Sequence, residues 1–222
     1  MRGFSGESRS SYIRPMRASD AEAVAKLHQA GISRGFLSSL GTNFLKELYR
    51  AIPASSTGMG FVLDVGEPVA FVAITTSTGR LYKDVLKRSG FRLCQTLVTR
   101  MWRPKVVRKC FETLLYPNKV SDDLPSAEVL SIVVNERLRG KGVGRALMRR
   151  AMAALSAAGI ERVKVACSPA NRPAVGLYTH CGFRLAQESE HHGQPFALYV
   201  SGVAPKPAES YEPTGSEAVQ PV

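Results

Sequence analysis

Charged residues and glycines alternate in Arg139-Gly140-Lys141-Gly142-Val143-Gly144-Arg145, and these residue types suggest anion chemistry. Glycine lets a backbone bend tightly and bring its N–H groups close to a ligand. The stretch follows an apolar run at 127–134 and precedes a segment rich in Ala, Leu, Met and Arg at 142–158. A helix start adds unpaired donors and positive potential, so the turn is suited to phosphate. Lys141 and Arg145 add charge. A plain strand-to-helix connection uses the same residues, so the turn alone leaves both open. Two well-known glycine motifs fit poorly. The dinucleotide fingerprint needs glycine where this chain has Arg145 or Leu147, and the P-loop needs Gly-Lys-Ser/Thr, which is absent.

A second block decides between them. Arg139-x-x-Gly142-x-Gly144 resembles the pyrophosphate-binding signature of the Gcn5-related N-acetyltransferase superfamily. That superfamily carries an Asn-x-x-Ala-x-x-Leu-Tyr-x-x-x-Gly-Phe block one strand and one helix later. Here the residues are Asn171, Ala174, Leu177, Tyr178, Gly182 and Phe183, and every position is met. The match runs from about 127 to 188. The resemblance implies two parallel central strands that splay apart, with acetyl-CoA entering the opening. Its pyrophosphate is then expected on backbone amides of Arg139, Gly140, Lys141, Gly142, Val143, Gly144 and Arg145. Its pantetheine arm is expected against main-chain groups of Ile132, Val133 and Val134, as an added half-strand. Asn171 is a candidate ligand for the pantetheine amides, or a helix cap, or both.

Acetyl transfer to an amine needs a free amine, a stabilised oxyanion and a protonated leaving thiolate. Tyr178 is the candidate acid, because the family has a tyrosine at this motif position for that role and a phenol can donate its proton. It would also contact the cofactor. A tyrosine packed in the core is the plainer alternative. Glu128 is the candidate base. It sits in an otherwise apolar strand, where burial would raise its pKa. It also precedes Arg139 by the distance that separates the catalytic glutamate from the signature in the histone-acetylating branch of the superfamily. A rim residue touching substrate, with water as the base, is the alternative. Cys167 lies on the strand facing the expected gap and reads as an inert thiol. His180, Cys181, His191 and His192 lack metal-ligand spacing, so no metal is expected.

These residues need a scaffold. A strand at 12–16 is followed by a helix with Ser19 and Glu22 as a capping box. A second helix is expected at 43–52, then a hairpin of 60–65 and 68–76. Strand 127–134, helix 142–158, strand 161–168, helix 171–181 and a closing hairpin of 183–189 and 195–200 complete the order. Interleaved helices and strands make the class α/β, or α+β with a mixed sheet. The resemblance makes it an acetyltransferase-like fold with a basic helical insertion at 80–119, between strands 3 and 4. The domain is expected over 12–202, between a disordered start at 1–11 and a disordered tail at 203–222.

The insertion explains the charge. The 222 residues carry a formal net charge of +12. Residues 80–119 hold eleven basic and two acidic residues, hence +9. Their apolar residues recur at helical spacing, predicting two or three basic amphipathic helices. These are candidates for a lid over an anionic acceptor, for an anionic membrane surface, or for a solvated face packed on the domain. Nucleic acid is disfavoured, because Phe91, Trp102, Phe111 and Tyr116 show no base-stacking pattern. Four cysteines without CxxC spacing speak against a disulfide scaffold. With no apolar run of membrane length and no signal-peptide core, the expected location is the cytoplasm. The expected function is transfer of an acetyl or related acyl group from acetyl-CoA to a primary amine. The alternative is a non-catalytic CoA-binding or surface-binding module on the same fold.

Overall fold

The computed structural model describes residues 12–33, 36–98, 124–191 and 194–203. Seven strands form one sheet: β1 (Tyr12–Pro15), β2 (Gly58–Asp64), β3 (Pro68–Thr75), β4 (Glu128–Val134), β5 (Arg162–Cys167), β6 (Arg184–His191) and β7 (Gln194–Gly202). The order is β1-β2-β3-β4-β5-β7-β6. All neighbours are antiparallel except β4 and β5, which run parallel. The helices are α1 (Ala21–Gly31), α2 (Phe36–Ser39), α3 (Thr42–Ala51), α4 (Thr78–Val98), α5 (Val143–Ala157) and α6 (Arg172–His180). The mixed α/β class and the expected hairpins are therefore present. Among the described residues no helix is long and apolar enough to cross a membrane.

Central strand β3 is apolar almost throughout because both its faces are covered. Val72 and Ile74 face one core, with Val129, Val163 and Val165. Phe71 and Ala73 face the other. Helix α5 packs on the first face through Val143, Leu147, Met148, Ala151 and Leu155, a stripe at helical spacing. Helices α1, α3 and α4 pack on the second, through residues such as Val24, Leu45, Leu48, Leu81 and Val85. Each fully buried Leu or Val contributes roughly 1.5–3 kcal/mol relative to an exposed one.

Three places bear on the expectations. Ser19 does not cap α1. Residues Ala18–Asp20 form a 3₁₀ turn, and Asp20 reaches back to accept from the Arg17 N–H at 2.7 Å. Arg14 also grips the Asp20 carboxylate, at 2.7 Å, and ties it to β1. A carboxylate with a guanidinium partner makes stronger, charge-assisted bonds than a serine hydroxyl. The insertion opens with one continuous helix, α4, whose Leu81, Val85 and Leu93 are buried in the second core. The helical pattern expected around Pro104 and over 106–115 lies outside the described residues, as do the first eleven residues. Val203, at the head of the expected tail, is buried and donates to Glu161 O. The remainder of that tail is likewise outside the described residues.

One buried group predicts an acid sensitivity. Burial lowers the His28 pKa from 6.5 to about 4. Between those values the unfolded chain binds the proton and the native one does not, so stability falls as pH falls. The expected loss is on the order of 3 kcal/mol between pH 6.5 and 4. Urea unfolding at pH 7 and pH 4.5 checks this: the difference should shrink in His28→Gln.

Candidate active site

Strands β4 and β5 pair only at Glu128 with Lys164 and at Val129 with Val165. Beyond that point no β4–β5 pairing is present among the described residues, although both strands continue. The cause is a register shift between Ala73 and Ile74 opposite β4, which leaves Leu130 without a partner in β3. Such a bulge bends the strand that carries it. The two parallel strands thus diverge, as the sequence implied.

Which groups face that opening follows from the pleat. Asn135 N donates to Val69 O at 3.0 Å. Alternation makes Val133 and Phe71 a hydrogen-bonded pair as well, so the main-chain groups of Ile132 and Val134 point away from β3, toward the opening. Val133 differs from its two neighbours: its main-chain groups are used by β3 and its side chain lies in the second core. Arg139 Nε donates to Val134 O at 3.2 Å, which holds that side chain against β4.

The glycine turn closes one end of the opening. Gly140 has φ +77° and Gly142 has φ +81°, a region that favours glycine. The first turn bond of α5 runs from Ala146 N to Gly142 O. Among the described residues, the amides of Gly140, Lys141, Gly142, Val143, Gly144 and Arg145 donate to no protein acceptor. Gly144 also permits a close approach: a Cβ there would lie 3.3 Å from Leu177 and 3.8 Å from Val134. The first motif is therefore packed on the second.

Helix α6 supplies the second block. Asn171 caps it, its Oδ1 accepting from Ala174 N at 3.3 Å. Tyr178 is buried, with Phe183 at 5.8 Å and Tyr199 at 6.5 Å between ring centroids. Its hydroxyl makes no hydrogen bond among the described residues. Burial, then the Cys167 and Cys181 thiols, push its pKa up, so the phenol stays protonated at neutral pH. Burial pushes the half-buried Cys167 thiol up to about 11, which disfavours a thiolate nucleophile. His180 is exposed, and its ring contacts Gly176 O at 2.7 Å. The His191 side chain and His192 lie outside the described residues.

Glu128 is half-buried at the start of β4. Thr78 Oγ1, from the first residue of α4, donates to its Oε2 at 2.8 Å. Burial raises the Glu128 pKa, against the opposing effects of Lys164 and of the Thr78 hydrogen bond. Lys164 is itself buried, and its Nζ donates to Pro125 O at 2.5 Å. Burial lowers its pKa and Glu128 raises it. Sequence reasoning missed both partners. Thr78 lies 50 residues from Glu128 along the chain. The only signal for Lys164 was one lysine alternating with valines in Arg-Val-Lys-Val.

This arrangement of a splayed parallel pair, a glycine turn and a tyrosine helix defines a class. Residues 41–183 match the model of the acetyltransferase (GNAT) family, and the chain belongs to it. A mycothiol acetyltransferase of Beutenbergia cavernae is 34% identical over 73 residues, which are 33% of this chain and 25% of that protein. The chain thus spans a quarter of that relative's length. Among solved structures, SsHAT is 23% identical with a TM-score of 0.58, covering 88% of this chain and 99% of that one. Arabidopsis thaliana NAA60 in complex with acetyl-CoA is 16% identical with a TM-score of 0.56, covering 87% and 98%. The ribosomal-protein-S18-alanine N-acetyltransferase of Escherichia coli is 14% identical with a TM-score of 0.53, covering 90% and 99%. At these identities the likeness to the solved structures is one of fold.

Proposed function

We propose that the protein is an N-acetyltransferase that moves the acetyl group of acetyl-CoA directly to a primary amine. The observation that carries this is the convergence on one opening of unpaired turn amides and the stretch of β4 that pairs with no β5 residue. Amides of the turn from Gly140 to Arg145 hold the pyrophosphate, with Lys141 and Arg145 adding charge. The pantetheine arm runs along the edge of Ile132 and Val134. Glu128 takes the amine proton, directly or through water, the nitrogen attacks the thioester carbon, and Tyr178 protonates the departing sulfur.

Helix α4 is the wall of the acceptor side, since its first residue holds Glu128. The stripe of Leu81, Val85 and Leu93 is already packed on the second core, which favours a wall over a helix lying in a membrane surface. Arg80, Lys83 and Lys87 stand exposed on α4 and suit an anionic acceptor.

Steady-state release of CoA from acetyl-CoA, with a panel of amines that includes phosphorylated ones, tests the proposal. Amine-dependent turnover is the expected result. Tight acetyl-CoA binding with no turnover on any amine would favour the non-catalytic module. Gly142→Val should weaken acetyl-CoA binding tenfold or more, because a β-branched residue is strained at positive φ and the turn must rearrange. Calorimetric titration with acetyl-CoA measures it.

A further inference from the structure

A buried polar chain crosses the second core and ends on β4 at its bulge. His28 Nδ1 of α1 lies 2.5 Å from Tyr49 OH of α3, and that hydroxyl lies 2.8 Å from Ser131 Oγ. The three residues are 2%, 1% and 8% exposed. In either tautomer of His28 the hydrogens can be arranged to serve both contacts. If Nδ1 donates, Tyr49 donates onward to Ser131; if Nδ1 accepts from Tyr49, Ser131 donates to Tyr49.

The chain is costly. His28 Nε2 is buried and has no hydrogen-bond partner among the described residues. Such an atom destabilises by ~1–3 kcal/mol. An apolar side chain at 28 would join the stripe of Val24 and Ala25 without that cost. Stability therefore does not account for the group, while its place on β4 does.

Val129, Ile132 and Val134 belong to the first core. Leu130 and Val133 belong to the second. Ser131 bonds Tyr49 and so lies on the second side too, next to Leu130. Regular alternation would turn it to the first. A one-residue slip reverses every side chain of a strand and its edge groups with them. The hydroxyl contact holds Ser131 against that reversal.

We propose that His28, Tyr49 and Ser131 pin the bulge of β4, fixing the phase between Glu128 before it and the edge of Ile132 and Val134 that faces the opening after it. They are positioning residues, and the proposal rests on the reading of that edge as the acetyl-CoA track. The test uses the full chain, with acetyl-CoA as probe. Tyr49→Phe and Ser131→Ala should each weaken acetyl-CoA binding about fivefold, as expected for one lost hydrogen bond. The double variant should lose little more than either single one, because both remove the same contact. Amide exchange supplies a second readout. The amides of Val129 and Lys164 should exchange faster in both variants, while that of Val62 in β2 changes little. A general loss of stability would move all three alike. Binding at wild-type affinity together with unchanged local exchange in either folded variant overturns the pin. Wild-type protein that binds no acetyl-CoA overturns the functional reading instead, and the exchange result then decides the pin alone.

Discussion

Replacing Tyr178 with phenylalanine should lower kcat by ~10²- to 10³-fold while leaving acetyl-CoA affinity within about twofold, the range expected for loss of a general acid. The ring makes the packing contacts with Phe183 and Tyr199, and phenylalanine keeps them. What is lost is a hydroxyl that no other described residue uses. Burial makes this phenol a weaker acid than a free one, which bears on its role. It cannot release its proton early. It can hydrogen-bond a sulfur on which negative charge is growing, and then transfer the proton as that charge matures. Turnover with thioesters of better leaving thiols discriminates further. The variant should recover part of its rate with such donors, because they need less help to depart. A tyrosine that merely filled the core would show no dependence on the leaving group. Equal kcat in Tyr178→Phe and wild type would remove Tyr178 from the chemistry.

The two halves of the site were legible in the sequence to different degrees. The glycine turn and the block from Asn171 to Phe183 are local, and local spacing is what a sequence displays. Each of their residues has a short-range reason. Gly142 takes a positive φ, Asn171 caps its own helix, and Phe183 lies beside Tyr178. Glu128 was visible as one acid in an apolar strand, but its environment was not. Thr78 reaches it only because α4 begins where β3 ends beside β4, and Lys164 only because the parallel register sets 128 opposite 164. The bulge was hidden for a related reason. Apart from Glu128 and Ser131 the run from Glu128 to Val134 is apolar on both faces, so its pattern carries no clear record of which residue is skipped. The resemblance marked the stretch Ile132, Val133 and Val134 as a whole, and only the pleat distinguishes Val133, whose main-chain groups face β3, from the two residues beside it. At α1, Ser19 met every rule for a cap, but the chain enters the helix through a 3₁₀ turn, and the Asp20 carboxylate bonds back to Arg17 N and to Arg14 of β1 without capping α1.

Glu128→Gln should reduce kcat/KM for the amine by ~10²-fold at neutral pH, at the low end of the range for a general base. Its pH profile should change in form as well as height. In the wild type, activity should fall on the acid side as the carboxylate protonates, and burial, which raises the Glu128 pKa, should move that limb above the ordinary glutamate range. Without the carboxylate, rate tracks the free-amine fraction and keeps rising with pH until the amine itself titrates. The neighbours provide a signed check. Lys164 and Thr78 both favour the ionised form of Glu128. Lys164→Met and Thr78→Val should therefore each shift the acid limb to higher pH, and neither should shift it down. Lys164 is buried and bonded to Pro125 O, so methionine also removes a desolvated charge, and its stability should be followed alongside. Thr78→Val preserves shape and serves as the cleaner of the two. If Glu128 only contacted the acceptor, the glutamine variant would raise KM at unchanged kcat, and Thr78→Val would leave the acid limb in place. A movable acid limb with a fixed acetyl-CoA affinity would tie the carboxylate to the proton of the amine, because on the proposed reading the donor lies along Ile132 and Val134, past the bulge from Glu128.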